Sequence, residues 1–106
     1  MDKYTVIRTD TADSFIHKII LDVAERFGTE VALEKLEELE VQIMSLADNP
    51  HLGMKPRYMI LRRMGYRVLI TDKNLIFYKI YEESKTVIVY VVVDQRQNYL
   101  DIIRGL

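Results

Sequence analysis

The sequence predicts an α+β fold: an N-terminal strand, an antiparallel helix pair, then an antiparallel β-meander with a short C-terminal helix, in the order β-α-α-β-β-β-β. Three observations carry this. From residue 12 to residue 46 the apolar residues recur every three or four positions, the period of a helix face. From residue 64 to residue 99 the chain is a series of β-branched and aromatic runs cut by short polar turns. The charges divide the same way. Residues 1–54 hold five Lys and Arg against eleven Asp and Glu, and residues 55–106 hold ten against five. Strands and basic residues thus share the second half, so the sheet is expected to carry a basic surface and the acidic helices to cover its other side.

The chain of 106 residues is one domain, residues 1–106, large enough to bury a core without metals or disulfides. It has no cysteine, which excludes a disulfide framework and a Cys-ligated zinc site. No apolar stretch reaches the ~20 residues of a membrane span. "MDKYTVIRTD" has no hydrophobic signal core, so the expected location is the cytoplasm.

"KYTVIR" (3–8) alternates and is β-branched, a first strand. Asp10 or Thr11 is expected to cap the helix that follows. Its inner face is Ala12, Ile16, Ile19, Val23 and Phe27, and Gly28 ends it. Thr29 is expected to cap a second helix with the stripe Ala32, Leu36, Leu39, Ile43 and Leu46. Glu34, Glu37, Glu38 and Glu40 lie off that stripe, a solvated face. The Gly28–Thr29 joint is tight enough for an antiparallel pair. "ADNPHLG" is turn chemistry. Tyr58–Leu61 and Tyr66–Ile70 read as short β segments linked by "RRMG". Leu75–Tyr81 and Thr86–Val93 are the clearest strands, and Val87 to Val93 is apolar enough to be covered on both faces. "QNYLDIIRGL" makes a short last helix.

Taken together, "YTVIRTDTADSF", "SLADNPHLG", "LRRMGYRVLI", "NLIFYKIYEESKTVIVYVVV" and "DQRQNY" resemble the RelE/ParE superfamily, toxins of bacterial type II toxin–antitoxin systems. The resemblance covers nearly the whole chain. It implies a small cytoplasmic toxin without a cofactor or metal, neutralised by an antitoxin encoded beside it. RelE-like members cut mRNA on the ribosome, and ParE-like members poison DNA gyrase. Cleavage of mRNA is the first expectation, with gyrase inhibition as the alternative. A homologue that has lost toxicity but still binds its antitoxin is a third.

Cleavage needs a proton taken from the 2′-hydroxyl, charge stabilised on the phosphorane and a proton given to the leaving oxygen. Arg suits the second task because its planar fork matches a phosphate. By the resemblance, Arg67 in "GYR" and Arg96 and Tyr99 in "DQRQNY" are the candidate catalytic residues. They are expected to converge at one end of the meander, with Tyr99 orienting the hydroxyl or stacking on a base. Lys55, Arg57, Arg62 and Arg63 are candidates for binding RNA or a partner. An antitoxin helix is expected to lay acidic residues toward Arg62, Arg63 and Arg67. The chain departs from the family by carrying Tyr58 and Ile60 where well-equipped nucleases have lysines. It has Asp94 or Gln95 where many relatives have a histidine, so no general acid or base stands out. Plainer readings exist: Arg62 and Arg63 as solvated charges, Arg96 as the counter-ion of Asp94 or Asp101, and the tyrosines as half-buried sheet residues.

Overall fold

The computed structural model describes residues 3–106. Its elements are β1 (Thr5–Arg8), α1 (Asp10–Phe27), α2 (Thr29–Met44), α3 (Met59–Arg63), β2 (Arg67–Ile70), β3 (Asn74–Tyr81), β4 (Thr86–Asp94) and α4 (Tyr99–Arg104). One turn of 3-10 helix, Ser45–Ala47, continues α2. The four strands form one sheet in the order β1-β4-β3-β2. β2, β3 and β4 are the expected antiparallel meander, while β1 runs parallel to β4, with Thr5 opposite Thr86 and Arg8 opposite Val89. The helix hairpin supplies the crossover that a parallel pair requires.

The helix ends differ from the sequence expectation by one residue. Thr9, not Asp10 or Thr11, caps α1: its backbone is extended and its hydroxyl accepts from the Ala12 N–H at 3.0 Å. Gly28 closes α1 with φ of 92° and also precedes α2, so Thr29 lies inside the helix and makes no side-chain cap. The positive φ is why a glycine stands at the joint. Thr9→Ala is expected to cost about 1 kcal/mol. A shift of the urea midpoint at unchanged slope checks it.

Residues 58–61 are not a strand. Met59–Arg63 is a short helix, with the N–H groups of Leu61 and Arg62 bonded to the Tyr58 carbonyl. The reason is that no ladder is open to this segment. On the free side of β2, Val68 already exchanges two bonds of 2.9 Å with Met54. Leu61 is fully buried, whereas Met59 and Ile60 face solvent.

The core has two layers. Ala12, Ile16, Leu39 and Ile43 of the hairpin pack on Ile76, Tyr78, Val87, Val89 and Val92. On the opposite face Leu61 and Ile103 cover Val68, Leu75, Phe77, Val91 and Val93. β4 is therefore apolar on both faces, as its near-continuous Val and Ile run required. A bulge sets Phe77 opposite Val91 but Tyr78 opposite Val89. Tyr90 is the extra residue, turned to the α4 side. The α1 stripe is buried only in its first half. Ala12 and Ile16 are enclosed, Ile19 and Val23 are half-buried, and Phe27 is 66% exposed.

Candidate functional site

Arg67 opens β2 on the rung opposite Tyr78. Leu69, two residues on, packs into the hairpin-side core, so Arg67 shares that face. Its guanidinium donates to the carbonyls of Gly53 and His51. Its Nε is buried without a partner. Arg67 thus holds the 51–53 loop to the edge of the sheet. With Lys55, Arg62, Arg63 and Tyr66 it lines a shallow groove of about 510 Å³. Four cations and no acid line that groove, which gives it a positive potential. The Arg62 Nε donates to the Pro56 carbonyl. Arg57 is not part of the groove and stacks 5.6 Å from the Tyr58 ring centre.

Arg96 lies in the turn after β4. Its backbone N–H and Nε donate to Asp94 Oδ1 at 2.8 and 3.0 Å, and its Nη2 donates to Oδ2 at 3.2 Å. These bonds hold the Asp94 carboxyl below the usual carboxylate range. The Arg96 side chain is 87% exposed. Tyr99 opens α4 three residues later. Its ring lies 5.2 Å from Phe77 and 5.7 Å, edge-on, from Tyr58. Burial raises the pKa of its phenol.

Arg96 and Tyr99 therefore occupy one corner, but Arg67 does not join them. β2 and β4 are both antiparallel to β3, so they run in the same direction. The start of one and the end of the other therefore do not meet. Along β3, the rung of Arg67 at Tyr78 and the rung of Asp94 at Asn74 are roughly 13 Å apart. The expected convergence of Arg67 with Arg96 is corrected accordingly.

The fold also assembles two groups that no local pattern announced. His51 Nε2 lies 3.4 Å from Glu82, to which the Tyr4 hydroxyl also donates. On the outer face Lys79 places its ammonium 4.6 Å from the Tyr66 ring centre and 5.4 Å from that of Tyr90. The Tyr81 and Tyr90 hydroxyls are 2.7 Å apart. The spacing of Lys79 and Tyr81 puts both on one face of β3, but Tyr90 reaches them only through the bulge. Burial, and then the bond to Tyr81, push the Tyr90 phenol up to about 12. The fold favours its neutral form. The resulting stability is complete below pH 10.0, the ordinary tyrosine value, and is lost as the pH rises toward about 12. In an ultraviolet titration Tyr90 is expected to ionise late, and Tyr81→Phe should bring it down.

A chain of the RelBE2 toxin–antitoxin complex of Mycobacterium tuberculosis is similar, with a TM-score of 0.63, 21% identity, and 92% of this chain and 97% of that one covered. So is a chain of the chromosomal ParDE system of P. aeruginosa, at 0.72 and 16%, with 87% and 96% covered. The isolated E. coli RelE toxin aligns at 0.58 and 17%, with 97% and 99% covered. No curated protein matches the chain. The family model of the ParE toxin of the type II toxin–antitoxin system, parDE, matches residues 6–99, and the chain belongs to this family.

Proposed function

We propose that this toxin arrests growth in the cytoplasm by binding and poisoning DNA gyrase rather than by cutting mRNA. The observation that carries the reading is the separation of Arg67 from Arg96. Cleavage gathers cations and proton carriers around a single phosphate. Here Arg67 and the end of β4 that leads to Arg96 lie four rungs apart along β3, roughly 13 Å, and each guanidinium is bonded to acceptors of its own. A toxin that works by binding has no such requirement. Around the basic groove Met54, Met59 and Met64 are exposed, and methionine makes an adaptable contact surface. Lys55, Arg62 and Arg63 would supply the charges that steer it to its target.

Ribosome-dependent mRNA cleavage is the second reading, favoured by the nearness in sequence of an exposed Arg96 and a half-buried Tyr99 just past the end of β4. Arg96 would grip the phosphate and Tyr99 orient the 2′-hydroxyl. Brief induction with pulse labelling of DNA and protein separates the two. DNA synthesis is expected to stop first, with inhibition of supercoiling by purified gyrase. Translation stopping first would overturn the gyrase reading. In the resting cell, on either reading, an antitoxin from the adjoining gene holds the toxin inactive.

A further inference from the structure

The expected antitoxin contact is the Arg62–Arg63–Arg67 groove, but a larger cleft lies where β4 ends and β3 begins. It has a volume of about 770 Å³ and is framed by the second half of α1, the end of β4 and the turn that opens β3. Phe15, Ile19 and Val92 give it apolar walls. Leu21 and Phe27 line it too, 51% and 66% exposed; Phe27 is the end of the α1 stripe beyond the core, and Leu21 lies off that stripe. These are large apolar side chains that the toxin alone leaves in water.

The charges around it are not balanced. Asp22 is engaged by Arg26, and Asp94 by Arg96. Among the described residues Lys18 and Lys73 form no ion pair, Lys35 forms none but lies near enough to Asp94 to help lower its pKa, and Glu25 is the one lining acid left unpaired. Two of these lysines, Lys18 and Lys35, belong to the acidic half of the sequence. The cleft also contains a buried acceptor without a donor. Asn74 is 3% exposed, and its Nδ2 donates to the Val93 carbonyl at 3.3 Å. That bond fixes the orientation of the amide, and its Oδ1 accepts nothing. Asn74 lines the cleft on the hairpin side, as Ile76 and Tyr78 do further along β3.

We propose that this cleft seats an acidic segment of the antitoxin. An apolar side chain of that segment lies between Leu21 and Phe27, its carboxylates meet Lys18, Lys35 and Lys73, and a backbone N–H donates to Asn74 Oδ1. Each part of the ligand answers a need on the page: apolar surface left in water, unpaired ammoniums and an unpaired buried acceptor. The inference rests on the toxin–antitoxin reading.

The test is the affinity of the toxin for the product of the adjoining gene, measured by calorimetry at low and moderate salt. Lys18→Glu/Lys73→Glu changes exposed residues and preserves folding. It is expected to raise the Kd about tenfold or more and to flatten its salt dependence. Asn74→Leu, compact and apolar, is expected to weaken binding with the salt dependence unchanged. If the parent binds but both cleft variants bind as tightly, or if the loss falls on Arg62→Glu/Arg63→Glu instead, the cleft is not the seat. Self-association of the isolated toxin that the Lys18→Glu/Lys73→Glu change abolishes would give the cleft to a second copy and overturn the assignment. If the parent binds no product of a neighbouring gene, the toxin–antitoxin reading itself fails, a distinguishable result.

Discussion

Gly53→Ala is expected to lower the stability of the fold by about 3 kcal/mol, a large share of the ~5–15 kcal/mol typical of a domain. A Cβ at this position would stand 2.6 Å from the Tyr78 hydroxyl, 2.6 Å from the Val68 carbonyl oxygen and 2.9 Å from its carbon. Two of those atoms are backbone of β2, which β3 and Met54 hold from either side, so they cannot retreat cheaply. The hydroxyl cannot retreat either. Tyr78 is fully buried, accepts from the Gly53 N–H at 3.0 Å and donates to the Pro50 carbonyl at 2.7 Å. Opening the loop to admit the methyl group would break both bonds and strand the Arg67 guanidinium. Tyr78→Phe should cost less, about 1–2 kcal/mol, because it leaves the same two backbone groups unsatisfied without a clash. The two changes should be non-additive, since removal of the hydroxyl also removes one of the clashing atoms. Urea denaturation of the four proteins of this cycle checks the expectation. A Gly53→Ala protein with the stability of the parent would mean that the 50–54 loop does not close on the sheet as described.

That loop also marks the limit of what the sequence reveals. "NPHLG" reads as a turn, but nothing local says that Tyr78, 25 residues on, will pass its hydroxyl through it. The strands were legible for a physical reason. β3 and β4 are buried on both faces, so their composition is dominated by one requirement that a short window can display. The hairpin was legible because its stripe repeats over five turns. Tyr58–Leu61 was misread because four residues are too few for a period of 3.6 to declare itself, and its helical state follows from Met54 occupying the edge it would have joined. The site was the least legible part. Arg67 and Arg96 were identified as residues, but their separation depends on strand direction across the whole meander. The lysines of the cleft are hidden in the charge of the half-chain, where Lys18 and Lys35 are outnumbered by eleven acids of which only Asp22 and Glu25 line the cleft.

Arg96→Ala divides the two functional readings by magnitude, and it does so without disturbing the fold. The side chain is 87% exposed and its ion pair with Asp94 is local to one turn, so the stability should be nearly unchanged. If Arg96 stabilises charge on a scissile phosphate, its removal costs on the order of 10²–10³ in rate. If it is one exposed contact in a binding surface, the cost is a factor of about ten or less, because most interface residues contribute under ~1 kcal/mol. On the gyrase reading, induced Arg96→Ala toxin is expected still to arrest growth, with replication failing first and half-maximal inhibition of supercoiling shifted less than about tenfold. Arg67→Ala should behave differently. It removes the donor that ties the 51–53 loop to β2, so stability and toxicity should fall together. Arg67→Lys should restore little, since an ammonium cannot reproduce the guanidinium fork. A folded Arg96→Ala protein that leaves growth untouched, while a parent ribosome assay shows cut mRNA, would return Arg96 and Tyr99 to a catalytic role and make the cleavage reading correct.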